Sequence, residues 1–265
     1  MMETTEILIV EDDPLIRHVL KIMLRKLGYS ICGTAESGEE AIMQVVATNP
    51  DLVLMDIGLN GVCDGIIAAT HIFEFFSIPV VFSTGHSGGE FIERAKAARP
   101  FGYLTKPFND RELYSTIEIA LNSYEMYIDR FGKKGRKLHE LLHLDEGLLF
   151  LDTDGRIIFS NPYAEHLISL SHQDAFFRYI GEVIDYEPAA SMVGEQLTLW
   201  DRIRESIAIG TGHDMIIRIS GGKKRMVHMS VISRKNCRGT TIGYIIRLEQ
   251  KFGEYRPLSR RAQAS

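Results

Sequence analysis

Residues 51–61, reading D-L-V-L-M-D-I-G-L-N-G, constrain this chain more than any other stretch. Four apolar residues, Leu52 to Met55, run directly into Asp56, and a polar, glycine-bearing segment follows. A short unbroken apolar run bounded by turn residues predicts a strand covered on both faces. Open α/β sheets place their chemistry at the carboxyl ends of such strands, which is where Asp56 stands. One Asp alone could simply begin a turn. The remainder of the chain decides.

Upstream, residues 7–10 form a second β-branched run ending in Glu11, Asp12 and Asp13. Pro14 opens a helix, as proline does at a first helical position, and its apolar residues from Leu15 to Leu27 recur at helical spacing before Gly28 ends it. A weaker strand follows at residues 30–35, and Ser37 with Glu40 makes a capping-box pattern for the next helix. The pattern then repeats: a helix over residues 65–76, a strand over 78–83, a helix over 89–98, a strand over 101–105, and a long helix from Asn109 or Asp110. Strands alternating with helices of this length predict a parallel sheet with helices on both faces.

Glu11, Asp12, Asp56, Thr84 and Lys106 all stand at strand ends, so this topology brings them to one edge of the sheet. The set suits phosphoryl transfer onto a carboxylate. One Asp attacks phosphorus, acids hold a hard divalent cation through oxygen, and a lysine and a hydroxyl neutralise charge on the phosphoryl oxygens.

The segments ILIVEDDPLIR, VLMDIGLNG, VVFSTGH and FGYLTKPF, in this order, resemble the motifs of the receiver domain of two-component response regulators. Asp12 and Asp56 are 44 residues apart, and Thr84 and Lys106 are 22 apart, as in that family. The resemblance implies a doubly wound, flavodoxin-like, five-stranded parallel sheet with Asp56 as phosphoacceptor. It implies a Mg2+ site formed by Glu11, Asp12, Asp56 and the main-chain carbonyl of Gly58. It further implies Thr84 as the switch hydroxyl, Tyr103 as the mobile aromatic, and Lys106 as the phosphoryl-stabilising cation, held by a cis bond to Pro107. The family's third acid often only lies nearby, where Asp13 stands, and His86 is read as a solvated loop residue.

The helix from Asp110 keeps its apolar period through Leu113, Ile117, Ala120, Leu121, Tyr124 and Ile128, beyond what a receiver needs. Residues 131–135, with two glycines, interrupt it. The bases Lys133, Lys134, Arg136 and Lys137 read as a solvated face. Self-association through this helix is one expectation. Packing of Tyr124, Ile128 and Phe131 on the second half of the chain is its alternative.

The second half has a different grammar. Strands over residues 148–151 and 156–160 flank the turn Asp152-Thr153-Asp154-Gly155, and Asn161-Pro162 opens a short helix. Thr198 caps a helix over 199–209, and strands follow at 215–219, 226–232 and 241–248. This predicts an α+β domain on a five-stranded antiparallel sheet. FLDTDGRIIFSNPYAEHL and the three closing strands resemble a PAS domain; residues 170–197 resemble nothing nameable. Asn236-Cys237-Arg238 is similar to a flavin-binding PAS motif but falls in a hairpin turn, and His166 and His172 are isolated. No PAS cofactor is therefore expected, and a PAS ligand is unknown.

The charge asymmetry bears on partners. Residues 1–123 hold 17 acids against 9 bases, a net of −8, leaving +3 for the rest. This argues against nucleic acid as a partner of the first half. Three dispersed cysteines suit a reducing cytoplasm, and no apolar run approaches a membrane span. The expected organisation is a receiver at 1–125, a helical linker at 126–142, a PAS-like domain at 143–250 and a disordered tail at 251–265. The expected function is a cytoplasmic, non-enzymatic response regulator, phosphorylated by a histidine kinase or phosphotransfer protein and acting on an output protein. Two rivals are a PAS-based small-molecule sensor with a secondary receiver, and a haloacid-dehalogenase-type phosphotransferase. The latter wants a second Asp where Gly58 stands.

Overall fold

In the computed structural model, residues 4–85, 95, 98–131, 138–188, 197–210, 212–218, 224–236 and 238–251 are described. The expectations placed on His86, most of the helix at 89–98, the basic linker, Cys237 and the tail lie outside them. The chain divides into two units, the first made of residues 1–143 with 235–240 and the second of residues 144–234 with 241–265.

The first unit carries β1 (Glu6–Val10), α1 (Pro14–Lys26), β2 (Ser30–Ala35), α2 (Gly38–Thr48), β3 (Leu52–Asp56), α3 (Gly65–His71), β4 (Val80–Thr84), β5 (Gly102–Thr105) and α4 (Asp110–Phe131). Its five strands are parallel in the order β2-β1-β3-β4-β5. The order reverses between β1 and β3, which makes their carboxyl ends the switch point where ligands bind in such sheets. All five residues of β3 are buried. Ile7, Ile9, Leu54 and Val81 pack with Leu20 and Leu24 of α1 and with Leu113 and Ile117 of α4 in one core.

Local chemistry sets the helix starts. Asp13 is the N-cap of α1, accepting from the amides of Leu15 at 2.7 Å and Ile16 at 3.2 Å. Asp13 is thus a helix cap. Asp64 caps α3 in the same way, through Ile66 and Ile67. Gly65 begins α3 because no side chain fits: a Cβ there would lie 2.0 Å from the carbonyl oxygen of Asp56. The helix expected over 65–76 is α3 followed by a π-helical segment, Ile72–Phe76.

The last turns of α4 make contacts within the first unit. The ring of Tyr124 packs at 5.5 Å on Phe101, and its hydroxyl donates to the carbonyl of Ser77. Tyr127 lies 5.5 Å from Phe73. The aromatic extension of the helix therefore clasps its own unit. Ile119 and Met126 remain outward, 62% and 72% exposed.

The second unit holds β6 (Gly147–Leu151), β7 (Ile157–Ser160), α5 (Pro162–Ile168), α6 (His172–Ala175), α7 (Ile180–Val183), β8 (Asp185–Pro188), α8 (Leu199–Ile209), β9 (His213–Arg218), β10 (Lys224–Lys235) and β11 (Thr241–Gln250). Its sheet has six strands, not five, in the order β7-β6-β11-β10-β9-β8. The additional strand, β8, pairs antiparallel with β9 in the stretch that resembles nothing nameable. Its sequence DYEP lacks β-branched residues, and its proline is tolerated at a sheet edge. Buried Asn161 caps α5 through Ala164 and also accepts from Leu148 of β6, which ties helix to sheet. His166 is exposed. His172 is buried against Phe159 and Phe176, and burial pushes it down to about 4.

Candidate functional site

β1 ends at Val10, beside Met55, and delivers Glu11 and Asp12 next to Asp56, the last residue of β3. Asp56 pairs with Ser83, and Thr84 pairs with Thr105, one residue before Lys106. Parallel register thus brings all five strand-end residues to one edge.

Lys106 reaches back across that edge. Its Nζ donates to Glu11 Oε2 at 2.7 Å and to Asp56 Oδ2 at 2.8 Å. Its backbone amide donates to the carbonyl of Thr84 at 2.8 Å, and its peptide bond to Pro107 is cis. The other oxygen of Asp56, Oδ1, accepts from the amide of Gly58 at 3.0 Å. Burial lowers the Lys106 pKa, but its bonds to Asp56 and Glu11 outweigh that and hold it above its usual value, so it is an ammonium.

Glu11 is 1% exposed, and burial pushes its carboxyl up to about 7 against the opposing effect of Lys106. Its Oε1 is buried with no hydrogen-bond partner among the described residues. One oxygen each from Glu11, Asp12 and Asp56 lies within 4.8 Å of the others. A buried carboxylate oxygen without a donor, in an all-oxygen set of this size, fits a hard divalent cation.

Thr84 is half-buried at the end of β4. Tyr103 is 42% exposed, its ring 5.9 Å from that of its cross-strand partner Phe82. Side chains alternate along strands, so Phe82, Thr84, Tyr103 and Thr105 share one face of the sheet.

Two side chains of the site carried no sequence signal of their own. Arg17 Nη1 donates to the carbonyl of Glu11 at 2.5 Å while Nη2 meets Glu36 at 2.6 Å, bracing the β1–α1 turn. Asn60 Nδ2 donates to Asp12 Oδ2 at 2.8 Å. Arg17 lies at the end of a quoted motif, and Asn60 reads as a turn residue. Only the folded chain shows what either touches.

The response regulator receiver domain family matches residues 7–118. That segment is a receiver domain, homologous to those of two-component response regulators. Over 118 residues the chain is 41% identical to the transcriptional regulatory protein PdtaR of Mycobacterium tuberculosis, covering 44% of this chain and 57% of that protein. It is 38% identical to the transcriptional regulatory protein YvrH of Bacillus subtilis over 120 residues, 45% of this chain and 50% of that one. The signal receiver domain of a modulated diguanylate cyclase from Desulfovibrio desulfuricans G20 is 36% identical, with a TM-score of 0.46, covering 47% of this chain and 99% of that structure. The matches thus span about half the length of these curated relatives. No helix among the described residues is long and apolar enough to cross a membrane.

Proposed function

We propose that this chain is a response regulator in which Asp56 accepts a phosphoryl group from a histidine kinase or phosphotransfer protein. The observation that carries this reading is Lys106 bridging Asp56 and buried Glu11 at 2.8 and 2.7 Å. An Asp56 oxygen attacks phosphorus, and the donor's bond to phosphorus breaks with its electron pair leaving on the donor. The Lys106 ammonium and the Thr84 hydroxyl bind the phosphoryl oxygens, and the Gly58 amide orients the attacking carboxylate. Glu11, Asp12, Asp56 and the Gly58 carbonyl would hold Mg2+. When bound, that ion screens the charge between nucleophile and phosphoryl group. Tyr103 follows Thr84 as the readout.

The domain extents in this reading are a receiver at 1–125, a linker at 126–142, a PAS-like domain at 143–250 and a tail beyond. The six-stranded antiparallel sheet with short helices between β7 and β8 supports the PAS-like assignment. That domain carries no chromophore and engages an output protein in the cytoplasm. Self-association runs through the outward residues Ile119 and Met126 of α4.

Incubation with a small phosphodonor and Mg2+ tests the function. Wild type should gain one acid-stable, base-labile phosphoryl group, and Asp56→Asn should gain none. Labelling of the variant at full stoichiometry would overturn the assignment. The purified protein should be colourless; a stoichiometric flavin or Soret band would refute the absence of a chromophore.

A further inference from the structure

We infer that Asn60 is a positioning residue for the divalent cation, holding the Asp12 carboxylate in the orientation in which it binds metal. This deepens the reading of Glu11, Asp12 and Asp56 as a cation site and rests on it.

The three carboxylates are held by different means. Glu11 and Asp56 share the Lys106 ammonium at 2.7 and 2.8 Å, whereas Asp12 Oδ2 takes the Asn60 amide at 2.8 Å. This bond joins the loop after β3 to the turn after β1, 48 residues apart in sequence. The loop is anchored on both sides of Asn60. Ile57 donates its amide to the carbonyl of Ser83 at 3.1 Å, Leu59 is 5% exposed, and Gly61 turns the chain away with φ +130°. Asn60 is exposed and sits outside the apolar core, so its contact with Asp12 is more than a packing by-product.

The bond leaves Asp12 Oδ1 for a cation. A ligating carboxylate with one oxygen on metal and the other on a fixed donor is the arrangement that outer-sphere partners impose, and losing such a partner typically weakens metal affinity about 10–100-fold. An amide suits this role better than lysine would, because it orients the carboxylate without adding a positive charge that opposes the ion. The buried Glu11 Oε1, which has no hydrogen-bond partner among the described residues, independently marks the acidic cluster as a place for a cation.

The test is a Mn2+ titration followed by electron paramagnetic resonance on the full chain. Wild type is compared with Asn60→Ala, with Asn60→Leu, which keeps the bulk without the donor, and with Asp12→Asn. The inference predicts that both Asn60 variants bind Mn2+ about tenfold or more weakly while their metal-free unfolding midpoints match wild type. Wild-type binding together with unchanged or tighter binding by both variants overturns it and leaves the cation site standing. Failure of wild type to bind Mn2+ at all overturns the site and this inference together.

Discussion

Tyr124 donates its hydroxyl to the carbonyl of Ser77, binding the extended part of α4 to the residue that ends the π-helical segment after α3. With Phe73, Phe101 and Tyr127 it forms an aromatic clasp within the first unit. Tyr124→Phe should cost about 1 kcal/mol, the usual net value of one hydrogen bond. Tyr124→Ala should cost roughly 2 kcal/mol, below a fully buried aromatic because the ring is half-exposed. Urea unfolding measures both. Two variants as stable as wild type would show that the clasp does not hold the helix.

The same clasp bears on which side chains of α4 would serve the proposed self-association. With Tyr124 and Tyr127 engaged, the apolar side chains left outward on α4 include Ile119 and Met126, seven residues apart on one face. Sedimentation with and without beryllofluoride should show a dimer strengthened by the phosphoryl mimic, by about 5–150-fold for a coupling of 1–3 kcal/mol. Ile119→Asp and Met126→Asp should remove that gain. A monomer–dimer constant indifferent to mimic and substitutions would make α4 a tether.

Lys106 is the only cation that contacts Glu11 and Asp56 side chains among the described ion pairs. Lys106→Met leaves two buried acids facing each other and should destabilise the metal-free protein by about 3 kcal/mol at pH 8. The sign with pH follows from Glu11, whose carboxyl burial already pushes up to about 7. Below an unfolded value of about 4.3 both states hold the proton. Above it the unfolded chain releases the proton first, so stability falls as pH rises through the folded value. Without the lysine that folded value rises further, and the deficit should be smaller at pH 6 than at pH 8. Unfolding in EDTA at both values checks this; equal deficits would contradict it.

Much of this was legible from residue order. Unbroken apolar runs marked β1, β3 and β4, and the acids and hydroxyl at their ends, with the lysine after β5, marked the candidate site, because parallel register brings strand ends together. β8 was not legible, since a four-residue edge strand with a proline carries no period. Nor were the roles of Arg17, Asn60 and Tyr124. Each depends on a partner 6 to 48 residues away that no local pattern encodes. The excess length of α4 could be read, but not what covered it.

Two buried histidines predict an acid-sensitive fold. Burial pushes His71 on α3 and His172 on α6 from 6.5 down to about 4. Above pH 6.5 both are neutral in either state. As pH falls the unfolded chain takes protons first, so stability should drop between about 6.5 and 4, by roughly 3 kcal/mol for each ring. His71→Leu and His172→Leu should each flatten this slope relative to wild type. Parallel pH profiles for variants and wild type would refute it.

The central claim is that Asp56 is the residue phosphorylated, and borohydride trapping tests it most directly. An aspartyl phosphate is a mixed anhydride, which borohydride reduces to homoserine at the site of attachment. After incubation with a small phosphodonor, peptide mass spectrometry should find homoserine at position 56 when Mg2+ is present and none when EDTA replaces it. Homoserine at Glu11-adjacent Asp12 or at any other position instead of Asp56, or no trapped product with Mg2+ present, would contradict the account.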